Sequence, residues 1–126
     1  MTKLAKLKVD LGTIKFSVII PTLNEANHIG DLLACLIPQL DSDTDEIIVV
    51  DAQSSDETVQ IVNAHKVKII CCDERSRSQQ MNAGAKAAKG NLFYFVHADA
   101  RPPTSFKADI TKAIEEGFFI GCYRFK

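Results

Sequence analysis

Three apolar runs, Phe16-Ser17-Val18-Ile19-Ile20, Glu46-Ile47-Ile48-Val49-Val50 and Leu92-Phe93-Tyr94-Phe95-Val96, each give way at once to a short polar signature. The signatures are Pro21-Thr22-Leu23-Asn24-Glu25, Asp51-Ala52-Gln53-Ser54-Ser55-Asp56 and His97-Ala98-Asp99. The runs lack the alternation of a strand with one wet face, so they predict strands buried on both faces, as in a parallel sheet covered by helices. Ligands of such sheets bind beyond the carboxyl ends of the strands. The polar signatures are therefore expected to converge on one crevice.

Between the runs the apolar spacing becomes helical. Ile29, Leu32, Leu33, Leu36 and Ile37 mark a first helix that ends by Pro38, and 41–45 reads as a solvated loop. Ser54 with Glu57 fits a capping box opening a helix that buries Val59 and Val62. Val67 to Cys71 predicts a third strand. A helix from about Ser78 to Ala88 places Met81, Ala85 and Ala88 on one face and stops at Gly90. Pro102-Pro103 breaks the chain before a helix carrying Phe106, Ile110, Ala113 and Ile114, and a fifth apolar run covers Phe118 to Phe125. This order predicts an α/β fold: a right-handed, three-layer α/β/α sandwich on a Rossmann-like, mostly parallel sheet.

Residues 1–15 read as a polar N-terminal extension and 16–126 as one domain. Only Lys126 follows the fifth run, leaving nothing to cover a newly opened sheet edge, so the chain reads as the first half of something larger. That edge also predicts self-association, a homodimer through the C-terminal strand. The competing arrangement has the helix from Ser105 to Glu116 cover it and leaves a monomer.

At 126 residues the chain is long enough for one cored domain, and its net charge of −1 with mixed signs gives no reason to expect nucleic acid. Lys3, Lys6, Lys8 and Lys15 resemble the start of a signal peptide, but no apolar stretch of signal length follows. No run approaches the roughly 20 apolar residues of a membrane span, so a cytoplasmic protein is expected. Cys35, Cys71, Cys72 and Cys122 lack Cys-x-x-Cys spacing and read as small buried hydrophobes.

Neither Gly-x-Gly-x-x-Gly after the first strand nor a Gly-rich loop ending in Lys-Ser/Thr is present. Instead acids follow the first, second and fourth strands: Glu25, Asp51 and Asp99. Carboxylates there can accept from a base N–H or ribose hydroxyls, or hold a hard divalent cation that bridges phosphates. Arg75 and Arg77, after the third strand, can meet phosphate charge. Each also has a plain structural reading. Asp51 could cap its turn, Asp99 could be a turn acid before Pro-Pro, and Glu25 could serve a helix dipole. Asp56 and Glu57 read as first-turn acids, Arg75 and Arg77 could be solvated, and His97 could bond only to backbone.

Together, Pro21 to Glu25, the stretch Val49 to Thr58 (VVDAQSSDET), Arg75 to Gly84 (RSRSQQMNAG) and Phe95 to Pro103 (FVHADARPP) resemble the nucleotide-sugar half of family-2 glycosyltransferases with the GT-A fold. The resemblance covers about Phe16 to Lys126 and is closest to a bacterial branch with His-Ala-Asp where most members carry Asp-x-Asp. Four motifs in order are more specific than any one alone. The resemblance implies that Pro21, Leu23 and Glu25 line the nucleoside and that Asp51 accepts from base or ribose. It also implies that Arg75 or Arg77 with Asn82 lies beside the base and phosphates, and that Asp99 holds a divalent cation, Mn or Mg. His97, in place of the first acid, would contact ribose or metal.

The implied function is binding of a nucleoside-diphosphate sugar with that cation, for inverting transfer to an acceptor hydroxyl. Such transfer needs a general base, which in the family lies beyond the fifth strand, so no catalytic residue is assigned here. Asp109, Glu115 and Glu116, on the outer face of the last helix, are poor substitutes. One rival is a noncatalytic nucleotide or nucleotide-sugar binding module completed by a partner chain. Another is a phospho-acceptor receiver domain, whose adjacent acids after the first strand Asn24-Glu25 does not supply.

Overall fold

The computed structural model describes residues 14–117. Strand β1 (Phe16–Thr22) is followed by α1 (Ile29–Leu36) and a single 3-10 turn (Ile37–Gln39), then by β2 (Glu46–Asp51) and α2 (Thr58–Ala64). Next come β3 (Lys68–Cys71), α3 (Arg77–Ala87), β4 (Leu92–Phe95) and α4 (Phe106–Glu115). All pairings are parallel, in the order β3-β2-β1-β4. The chain winds outward from β1 to β3, then returns through α3 to place β4 on the other side of β1. That reversal opens a crevice at the carboxyl ends of the strands.

Alternate residues of the strands feed two cores. On one face Val18, Ile20, Ile47 and Val49 pack with Ile29, Leu32, Leu33 and Leu36 of α1, Val62 of α2 and Phe106 of α4. On the other, Ile19, Ile48 and Val50 lie against the small residues of α3. The buried stripe of α1 follows the sequence spacing up to Leu36, but Ile37 is exposed because Pro38 tightens the chain into the 3-10 turn.

Helix α3 differs from expectation. Its buried positions are Gln80 and Gly84; Ala85 and Ala88 pack only in part, and Met81 lies outside the cluster. The smallest residue sets the approach, since a Cβ on Gly84 would stand 2.5 Å from Ile19 Cγ2 and 3.1 Å from Val50 Cγ2.

Helix α2 begins at Thr58, not at Ser54, and the expected capping box is absent. Ser54 is held by Asp51, while Asp56 Oδ1 accepts from Thr58 N at 2.9 Å. Val59 is half-buried rather than buried. Burial on both faces holds for β1 and β2 but fails for β4, whose Phe93 and Phe95 are 43% and 42% exposed. Among the described residues β3 and β4 are the outer strands, and α3 packs chiefly on β1 and β2. Cys71, on the outer strand β3, is exposed, and Cys35 and Cys72 are half-buried, so the expected burial of the cysteines does not hold.

The expected fifth strand, Cys122 and the proposed dimer edge lie outside the described residues, as does most of the N-terminal extension. No helix among the described residues is long and apolar enough to cross a membrane.

Candidate functional site

The register of β1 against β2 puts Thr22 opposite Asp51. Thr22 Oγ1 donates to Asp51 Oδ1 at 2.6 Å, Ser54 Oγ donates to the same oxygen at 2.6 Å, and Ser54 N donates to Oδ2 at 2.8 Å. With three internal donors and 1% exposure, Asp51 organises the turn that follows its strand.

The loops after β1 and β2 are tied together through Asn24. Its backbone is left-handed (φ 56°), a conformation that Asn tolerates better than most residues. Its N–H donates to Ser54 Oγ at 2.8 Å, and its Oδ1 accepts from Ser55 N at 2.8 Å and Asp56 N at 3.3 Å. Glu25 N donates to Thr58 Oγ1 at 2.9 Å, and Ala26 N to Asp56 Oδ2 at 3.1 Å. The hydroxyl and N–H of Thr58 and the N–H of Ala26 hold the Asp56 carboxyl below the usual carboxylate range. From the α3 side, Gln80 Nε2 donates to Thr22 O at 3.0 Å and Val50 O at 2.9 Å, fastening the ends of β1 and β2.

The opposite side of the crevice is looser. Arg77 opens α3 and places Nη1 2.6 Å from His97 Nδ1, just beyond β4. A guanidinium only donates, so His97 presents its lone pair at Nδ1. Arg101 Nη1 donates to Ala100 O at 2.6 Å and steadies the turn that carries Asp99. Asp99 itself is exposed.

Of the residues singled out in the sequence, Pro21 is buried in β1, while Leu23 and Glu25 are half-buried at the crevice. Glu25 Oε1 lies 3.2 Å from His28 Nδ1. The structure joins Arg77 to His97 and leaves Arg75 exposed just before α3. Asn82 lies on the exposed side of α3, about 200° around the axis from Gln80. Thr22, Asn24, Ser54, Thr58 and Gln80 were not foreseen as site residues. Short polar residues clustered after a strand are a turn-capping signal that could have found the first four; nothing local marks Gln80.

Among the described residues no group of three or more His, Cys, Asp or Glu could hold a metal ion. The exposed carboxylate of Asp99 offers one hard oxygen ligand, which suits a cation whose other ligands are phosphate oxygens and water.

A parallel sheet that reverses its winding, with charged and donor groups at its carboxyl edge, defines an α/β protein of the doubly wound kind, whose ligands bind at that edge. The profile of the family described as Glycosyl transferase family 2 matches residues 17–125, and the chain belongs to that family. It is 32% identical over 109 residues to a dolichol-phosphate mannosyltransferase of Pyrococcus furiosus, covering 82% of this chain and 31% of that protein. It is 34% identical over 93 residues to the poly(ribitol-phosphate) beta-N-acetylglucosaminyltransferase TarS of Staphylococcus aureus, covering 68% of this chain and 16% of TarS. The chain thus spans less than a third of the length of either relative.

The crystal structure of TarS 1–349 in complex with UDP-GlcNAc matches with a TM-score of 0.74 at 32% identity, over 82% of this chain and 32% of that one. The glucosyl-3-phosphoglycerate synthase of Mycobacterium tuberculosis, crystallised with Mn2+, UDP and glucosyl-3-phosphoglycerate, shares the fold. Its TM-score is 0.74 at 21% identity, over 90% of this chain and 44% of that one.

Proposed function

We propose that residues 16–126 bind a nucleoside-diphosphate sugar, with a divalent cation, as the donor-binding part of an inverting glycosyltransferase that passes the sugar to an acceptor hydroxyl. The observation that carries this reading is the gathering of polar side chains beyond the carboxyl ends of one parallel sheet. The laced loops after β1 and β2 stand there together with Arg75, Arg77, His97 and Asp99, which follow β3 and β4. The UDP-GlcNAc held by TarS, 32% identical here, supports a nucleotide sugar as the ligand class.

In this reading Pro21, Leu23 and Glu25 line the nucleoside. Asp51 sets the shape of the floor, with one Oδ2 lone pair left for a base or ribose donor. Arg75 and Arg77 meet the diphosphate, with Asn82 at the outer margin, and His97, held by Arg77, contacts the ribose. Asp99 would hold Mn or Mg, and such a cation supplies charge neutralisation of the departing diphosphate. Hard cations take about six oxygens, so with one protein carboxylate the ion and the diphosphate must bind together.

Calorimetry with UDP and GDP, each with Mn2+, with Mg2+ and in EDTA, tests the proposal. A nucleoside diphosphate should bind more tightly with metal, and Asp99→Ala should remove that gain. Equal affinity in EDTA would sink the metal part, and no binding of either nucleotide would sink the whole reading.

A further inference from the structure

Gln80 is 5% exposed, yet its carboxamide is only half used by the protein. Nε2 gives its two hydrogens to Thr22 O and Val50 O, carbonyls that can only accept. The amide therefore cannot be turned over: nitrogen faces the strand ends and Oε1 faces away. Oε1 accepts from none of the described residues, while no buried side-chain nitrogen or oxygen among them lacks a partner. Solvent thus reaches Oε1, at the carboxyl ends of β1 and β2 where the crevice opens. Gly84, one turn further along α3, fixes the depth of this group by letting the helix press onto Ile19 and Val50.

A neutral acceptor, locked in orientation and nine-tenths buried, is matched by a ligand donor. Phosphate at neutral pH offers only acceptors and would face it unfavourably. A nucleoside offers donors, an imide N–H on the base and hydroxyls on the ribose. We infer that Gln80 Oε1 accepts a hydrogen bond from the nucleoside and is a specificity-determining residue of the nucleotide site, an inference that rests on the function proposed above. Asp51 beside it has most of its accepting capacity taken by Thr22 and Ser54, which leaves Gln80 as the acceptor with most to offer at this point of the floor.

The test uses the full 126-residue chain, labelled with nitrogen-15, and UDP as probe, or GDP where only GDP binds. The side-chain NH2 pair of Gln80 should exchange slowly in the free protein and shift on saturation with the nucleotide. Affinities are then measured for N3-methyl-UDP (N1-methyl-GDP in the guanine series) and for the 2′-deoxy and 3′-deoxy nucleotides. One analogue should bind about 3- to 10-fold more weakly than the parent, naming base or ribose as the donor. Gln80→Met, which keeps the length and removes the amide, should bind that analogue and the parent alike.

A Gln80 pair unmoved at saturation, a pair that moves with Mn2+ alone, full affinity for every analogue, or a Met variant that still discriminates would overturn the inference. If the Met variant does not fold, the wild-type NMR and analogue series decide alone. Binding of the parent nucleotide without a Gln80 response leaves the proposed function standing and removes only this assignment. No binding of UDP or GDP removes both.

Discussion

Asp51 and Asp99 both follow a strand of the same parallel sheet, yet one is 1% exposed with three internal donors and the other stands exposed in a turn. Their surroundings differ in the same way. Beyond β1 and β2, Asn24, Ser54, Asp56 and Thr58 satisfy one another across two loops. Beyond β3 and β4, Arg75 is exposed and the Arg77–His97 contact joins the elements. A carboxylate surrounded by donors of its own protein shapes a loop, and one left to solvent keeps its lone pairs for a ligand. Strand-end acids that look equivalent as chemistry are thus divided by burial into an organiser and, in the function proposed above, a binder.

Removing each acid should break the comparison open. Asp51→Ala leaves the Thr22 and Ser54 hydroxyls and Ser54 N without their acceptor, and should cost about 2–4 kcal/mol in urea unfolding. Asp99→Ala should stay within about 0.5 kcal/mol of wild type. Similar losses for the two variants would contradict the division. Next in size is Asn24→Ala, which removes an acceptor of Ser55 N and Asp56 N at a left-handed position; a loss of about 1–2 kcal/mol is expected. An unchanged midpoint would mean that the lacing does not hold the floor.

Gly84→Ala sharpens the role of α3. Overpacking against Ile19 and Val50 costs about 1–3 kcal/mol, and better helix propensity returns about 1 kcal/mol, so a net loss near 1 kcal/mol is expected. A stabilised variant would show that α3 can ride higher without harm.

The smallest effect is in acid. Burial works to raise the Asp45 carboxyl, but hydrogen bonds from Asp41 N, Lys107 Nζ and Phe16 N outweigh it and hold the group below its usual range. Burial is likewise outweighed at Glu46 by the Ser17 hydroxyl, Lys89 N and the Lys68 charge. Both are depressed in the folded state, so their stabilisation is complete above the ordinary carboxylate range of about 4 and is lost as pH falls through the lowered values. Unfolding midpoints should drop on acidification below about pH 4 and drop less steeply in Asp45→Asn, as urea titrations at several pH values would reveal.

Periodicity made β1, β2 and α1 legible, because the spacing of Val18, Ile20, Ile29, Leu32 and Leu36 is a local property that burial follows directly. The start of α2 was hidden, since the groups that hold 54–58 come from Asp51 and from Asn24, some thirty positions earlier. Exposure of Phe93 and Phe95 depends on where α3 stops covering the sheet, which no property of β4 encodes. In the site, the positions of Asp51 and Asp99 were readable as strand-end acids. Their different burial was not, because it is made by Thr22 and Ser54 in space. Gln80 escaped notice since its partners are backbone carbonyls, which carry no residue identity.

Backbone hydrogen exchange of the wild-type chain, free and saturated with UDP and Mg2+, bears most directly on the claim that one half of the crevice is built in advance and the other completed by ligand. The amides of Asn24, Ser54, Ser55 and Thr58 should already be protected in the free protein, and those of 75–78 and 97–99 should gain protection only with the nucleotide. Unprotected amides at Ser54, Ser55 and Thr58 in the free chain, or no gain at 75–78 and 97–99 at saturation, would contradict it.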